Sequence, residues 1–86
     1  MANTLIDGTQ ATSTTGAPLN GGTAQAVDWV VVTNPDASIV LYAGNATSQS
    51  NPIPPLGSLR IETNNLNKIY VKSASGTPAV SWLGGK

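Results

Sequence analysis

The sequence predicts an all-β fold, a small antiparallel β-sandwich or barrel, and three observations carry that prediction. Short blocks rich in β-branched and aromatic residues recur at intervals of about 10–15 residues, with no helical period between them. Clusters of Pro, Gly, Asn and Ser punctuate the boundaries between these blocks. The clearest stretch, IPPLGSLRIETNNLNKIYVK over residues 53–72, alternates apolar with polar positions. Leu59 and Ile61 oppose Arg60 and Glu62, and further on Ile69 and Val71 oppose Lys68 and Lys72. A period of two marks half-buried strands, because successive side chains point to opposite faces.

Taken in order, the chain opens on a segment of different character. TQATSTTGAPLNGGTAQA is built of small and hydroxyl-bearing residues, and Leu19 is its one large apolar side chain. Ordering a backbone costs about 1–2 kcal/mol per residue, more than so few apolar groups return. Residues 1–21 are therefore expected to form a flexible or extended N-terminal arm, with Leu5, Ile6 and Leu19 as its contact residues, and residues 22–86 the β-sandwich domain. A short strand near Thr4 to Ile6, or within residues 22–26, is a possible addition.

Five strands are expected in the domain. Val27 to Thr33 ends at Asn34-Pro35-Asp36, and Ser38 to Ala43 ends at Gly44-Asn45. Asn34 to Ala37 has the length of an antiparallel hairpin connection. Residues 44–52, GNATSQSNP, read as a polar loop; Pro54 and Pro55 then lead into the strand containing Leu59 and Ile61. Thr63 to Asn67 link it to the strand containing Ile69 and Val71, and Pro78 to Leu83 form the last.

The first two strands are apolar on both sides. Val27, Trp29 and Val31 share one parity and Val30 and Val32 the other; Ile39 and Leu41 likewise oppose Val40 and Tyr42. An antiparallel sheet usually has one wet face, and a domain of this size has a single interior. A sister subunit is the expected cover for the second side, with Val30, Val32, Val40 and Tyr42 as the oligomer interface. Small domains often rely on such association.

Composition argues against most chemistry. Four basic and four acidic residues balance to zero, which gives no electrostatic reason for a nucleic-acid or anionic-membrane partner. With no cysteine and no histidine, thiolate chemistry, the usual general base and the commonest metal ligands are missing. No apolar run approaches the ~20 residues of a membrane span, and MANTLIDGTQ lacks the basic start and apolar core of a secretory signal, so synthesis in a cytoplasm is expected. Asp7, Asp28, Asp36 and Glu62 are scattered, and no calcium loop, serine elbow or phosphate-binding glycine loop occurs. The reading is no enzyme, no catalytic residue, no metal and no cofactor. Trp29 and Trp82 share faces with apolar residues and read as core, whereas Tyr42 and Tyr70 are candidates for exposure.

The series GTAQAV, VVVTNPDASIVLYAGN and PIPPLGSLRIETNNLNKIYVKSASGTPAVSWLGG resembles small virion proteins of tailed bacteriophages, of the capsid decoration (cement) or head-fibre type. The likeness covers about residues 22–85. It rests on the Asn34-Pro35 turn, Val40-Leu41-Tyr42-Ala43-Gly44, Pro55-Leu56-Gly57, Asn65 to Val71, and Val80-Ser81-Trp82-Leu83-Gly84. The resemblance implies a jelly-roll-like sandwich, the major capsid protein as partner, and a homotrimer on the capsid surface of a virion assembled in the host cytoplasm. It brings no catalytic residue. The alternative it leaves open is a carbohydrate- or receptor-binding module of a head or tail fibre, which would need neighbouring exposed aromatics with amides such as Asn45, Asn64 or Asn65 close by.

Overall fold

The computed structural model describes residues 4–86. Eight strands follow one another: β1 (Leu5–Ala11), β2 (Ala17–Pro18), β3 (Trp29–Thr33), β4 (Leu41–Gly44), β5 (Gln49–Ile53), β6 (Ser58–Glu62), β7 (Tyr70–Ser73) and β8 (Ala79–Gly85). They form two four-stranded antiparallel sheets, one ordered β1-β8-β3-β6 and the other β2-β7-β4-β5. The all-β sandwich expected from periodicity is the fold observed.

The order has a simple origin. β1 pairs with β8, β2 with β7, β3 with β6, and β4 with β5. The chain is one long two-stranded ribbon, turned back at the β4–β5 hairpin. It is rolled up so that β3 also meets β8 and β4 also meets β7. This is the strand order of a jelly roll. Every link except β4–β5 therefore crosses from one sheet to the other.

The hairpin expected at Asn34 to Ala37 is corrected by this topology. The strands around Val30 and Leu41 lie in opposite sheets, so Asn34 to Ala37 form an arch across the sandwich. The strands around Ile61 and Val71 are separated in the same way, and a 3-10 turn at Leu66–Lys68 carries the crossing. The arch is fastened by polar groups. Asn34 is fully buried; its Nδ2 donates to the carbonyls of Ile39 and Ile53 at 2.8 and 3.0 Å, and its Oδ1 accepts from the Asp36 N–H at 3.1 Å. Among the described residues, every buried side-chain nitrogen and oxygen has a partner.

The domain boundary expected at residue 21 does not divide the molecule, and no separate arm is present among residues 4–21. β1 runs the full length of β8 in seven paired positions, from Leu5 opposite Gly85 to Ala11 opposite Ala79. Leu19 is 0 % exposed and belongs to the central cluster with Val30, Leu41, Leu66 and Val80. The radius of gyration, 11.9 Å, equals the roughly 12 Å of a fully compact chain of this length. Residues 1–3 of the expected arm lie outside the described residues. Ordering the segment is offset by hydrogen bonds along β1 and by burial of Leu19, together with the indole of Trp82 laid over Gly8.

The faces of β3 are also reversed from expectation. Val27 and Val30 are both buried, with Asp28 exposed and Trp29 half-buried between them, so the alternation slips by one residue before the strand begins. The Asp28 N–H donates to the Gly85 carbonyl at 2.7 Å, which fixes the slip. Val30 and Val32 consequently point between the sheets, and Trp29 and Val31 point outward. Residues 44–52, expected as a loop, include the end of β4 and all but the last residue of β5, whose Pro52 lacks an N–H and sits in an edge strand where none is needed.

Candidate functional surfaces

Three surfaces of the sandwich offer contact chemistry among the described residues: the two outer sheet faces and the open side between edge strands β6 and β5. The first is the outer face of β1-β8-β3-β6. Strand register arranges its side chains in three cross-strand rows. One row reads Leu5, Gly85, Trp29, Glu62; the next Asp7, Leu83, Val31, Arg60; the third Thr9, Ser81, Thr33, Ser58.

The indole of Trp29 lies across Gly85, where an added Cβ would come within 2.7 Å of Cζ2. The Arg60 guanidinium covers the other side, 4.9 Å from the ring centroid, and its Nε donates to Glu62 Oε1 at 3.0 Å. That ion pair is solvated, so it contributes little to stability and acts mainly to hold the cation over the ring. Leu5 and Leu83 remain 67 % and 43 % exposed. A shallow depression of about 510 Å³ beside Leu83 is lined by the hydroxyl-bearing Thr9, Ser81 and Thr33.

The second surface is the outer face of β2-β7-β4-β5. Tyr42 is opposite Lys72 on one side and Pro52 on the other, and Tyr70 is opposite Gly44 and Pro18. Tyr42 and Tyr70 are thus diagonal neighbours on one face, at a spacing of about 7–8 Å between residues of this kind. Both are half-buried, flanked by the two prolines. Gln49 folds back over Gly16, where a Cβ would fall on its carboxamide.

The third surface is a groove of about 430 Å³ along the open side of the sandwich. Leu59, Ile61, Ala43 and Ile69 supply its apolar wall, and Asn51 and Lys68 its polar rim.

These surfaces redistribute the residues singled out in the sequence. Val30 and Val32, expected at a protomer interface, are 0 % exposed inside the chain's own core, and that assignment is corrected. Val40 and Tyr42 are half-buried, with Tyr42 on the outer face just described. Of the expected contact residues of the arm, Leu19 is in the core and Ile6 packs against it, while Leu5 faces outward. Trp82 is core as expected; Trp29, expected there too, is on the outer face.

The amides expected near an aromatic pair are largely engaged in local structure. Asn45 Oδ1 accepts from the N–H groups of Thr47 and Ser48 at the β4–β5 turn. Asn65 Oδ1 accepts from Gln25 and Asn67, and Asn64 is exposed. The Ser38 and Ile39 N–H groups hold the Asp36 carboxylate below its ordinary range. Among the described residues, no three His, Cys, Asp or Glu side chains gather where they could hold a metal.

The outer-face rows escaped sequence reading because they require cross-strand register. The alternation of Trp29 and Val31 was visible, but which side was wet depended on the slip at Asp28. No protein-family model matches the chain, and no curated protein matches it in sequence.

Proposed function

We propose that the chain is a structural virion protein, a capsid decoration or cement protein that binds the lattice of the major capsid protein and stabilises a tailed-phage head. The observation that carries this reading is the eight-strand jelly-roll order, an architecture used by viral coat domains and also by lectins and cupins. It agrees with the fold that the phage-like motifs imply. The outer face of β1-β8-β3-β6, where hydroxyl-bearing and single apolar side chains stand beside Asp7, Arg60 and Glu62, suits docking on an ordered surface. Repetition over many equivalent sites makes individually weak contacts effective through multivalency.

Imaging of virions carrying the protein tests this reading. A density the size of this sandwich, repeated at equivalent positions on the head, is the expected result. Particles lacking the protein should lose their genome at lower temperature. Absence from the head, or confinement to a tail tip, rejects the assignment.

The pairing of Tyr42 and Tyr70 favours a second reading, a carbohydrate- or receptor-binding fibre module. Two aromatic rings on one face, bordered by Pro18 and Pro52, offer the flat apolar surface on which sugar rings stack. Glycan binding that disappears in both Tyr42→Ala and Tyr70→Ala would support it; no binding across an array removes it.

A further inference from the structure

We propose that two copies of the chain associate through the outer faces of their β1-β8-β3-β6 sheets, about a twofold axis parallel to the strands. The inference concerns the isolated protein and does not depend on the capsid reading.

It rests on the arrangement of charge along one cross-strand row. Asp7, Leu83, Val31 and Arg60 lie side by side on β1, β8, β3 and β6. An acid therefore occupies one margin of the sheet and a base the other, about 14 Å apart across three strand spacings, with two apolar side chains between them. Two copies can meet face to face about either of two in-plane axes. An axis across the strands sets Asp7 on Asp7 and Arg60 on Arg60. An axis along the strands sets each Asp7 on Arg60 of the second copy, twice over. Like charges opposed at an interface are penalised, so the row selects the second arrangement.

The central and hydroxyl rows agree with that choice, whereas the first row sets Leu5 on Glu62 of the second copy, at the rim where both stay partly solvated. The same rotation lays Leu83 on Val31 of the second copy, Ser81 on Thr33 and Thr9 on Ser58, so apolar meets apolar and hydroxyl meets hydroxyl. Leu83 is 43 % exposed in the single chain and becomes covered. Arg60, already tied to Glu62, gains a second carboxylate while its guanidinium stays over Trp29. A second copy is favoured over an unrelated partner because one rotation matches each position of the central and hydroxyl rows with a suitable counterpart.

The size of the face sets the strength. Four strands about 4.8 Å apart and five residues deep give roughly 300 Å² in projection. That is below the ~800 Å² per partner of a standard interface, so pairing is concentration-dependent.

Analytical ultracentrifugation of the purified chain, from about 10 μM to about 1 mM, spans the range expected for so small a face. The average mass should rise from the 8.7 kDa of one chain toward that of two. Asp7→Arg and Arg60→Asp should each weaken the dimer at least ~10-fold while circular dichroism stays that of the wild type. Mixed together, the two variants should recover a heterodimer, since every opposed pair is then of unlike charge. Leu83→Asp should leave only folded monomer. A wild type that stays monomeric throughout, a trimer, a dimer insensitive to these substitutions, or a mixture that fails to recover overturns the inference.

Discussion

Trp82 lies across Gly8 of the adjacent strand, so closely that a Cβ added to the glycine would stand 2.7 Å from Cε2 of the indole. The ring is 6 % exposed and fills on β1 the volume that a side chain of β1 would otherwise supply. The backbone at Gly8 has no positive φ, so the glycine is there for space and not for conformation. Gly8→Ala should therefore cost about 1–3 kcal/mol through overpacking, and Trp82→Ala about 3–5 kcal/mol through loss of the same contact. Urea titration of the two single variants checks both. An unchanged midpoint for Gly8→Ala would show that the indole moves aside freely.

Asn34 ties the arch between the sheets by four hydrogen bonds, one through its own N–H to the Gly57 carbonyl. Asn34→Leu strands the carbonyls of Ile39 and Ile53, and a buried unpaired group costs about 1–3 kcal/mol, so a loss of about 3 kcal/mol or more is expected. Asn34→Asp sets a carboxylate against two carbonyl oxygens. Its own pKa must rise in the folded state, so that variant should be weakest at neutral pH and recover as the pH is lowered. Thermal melts at two pH values separate the cases.

Asp36 behaves in the opposite sense. The Ser38 and Ile39 N–H groups favour its charged form at 2.8 and 2.7 Å, lowering the folded pKa below the ordinary 3.8. The stability it contributes is full above that ordinary value and is lost as pH falls through the lowered one. The wild type should lose stability as the pH falls from just above that ordinary value through the lowered one. In Asp36→Asn that part of the acid dependence should flatten. Equal slopes for both proteins would remove Asp36 from the effect.

Leu56 occupies a turn closed by the Gly57 N–H donating to the Pro54 carbonyl at 2.8 Å, and it holds φ at 63°. The left-handed region costs a residue with a Cβ about 1–2 kcal/mol, and at 71 % exposure little packing compensates. Leu56→Gly should raise stability by about 0.5–1 kcal/mol, the relief of strain being partly offset by a freer unfolded chain. A decrease in melting temperature would contradict this.

Starting the chain at Gly22 removes β1, β2 and Leu19 together. The sheet then loses the strand paired along all of β8, and the core loses a fully buried leucine. The shortened protein should be unfolded, with collapsed amide dispersion by NMR. A dispersed spectrum would restore residues 1–21 as a separable arm.

How much of this was legible in the sequence depended on whether a residue's bulk was its own. Strands β6, β7 and β8 announce themselves, because Leu59 with Ile61, Ile69 with Val71, and Val80 with Trp82 alternate with polar neighbours. β1 does not: its inward positions include Gly8 and Gln10, and the apolar mass above Gly8 comes from a tryptophan 74 positions later. β5 is masked by Pro52 in an edge strand.

The faces of β3 were legible as two apolar sides, but not which one was interior. Asp28 shifts the alternation, and local pattern cannot show such a slip. Parity alone therefore points to Val30 and Val32 as the uncovered side, which is the buried side of the strand. Trp29 and Val31 are instead half-covered by their own chain, through Gly85 and Arg60.

The rolled ribbon also governs when the molecule can become itself. The tight β4–β5 hairpin is local and can form early, but the first strand has no mate until the last has left the ribosome. Each enclosing pair must bridge a longer loop than the one inside it, which slows closure. Closure of the sandwich is thus postponed until β8 has been made, and a nascent chain that stops short of β8 would carry the bare edge of β3 as an invitation to misassembly.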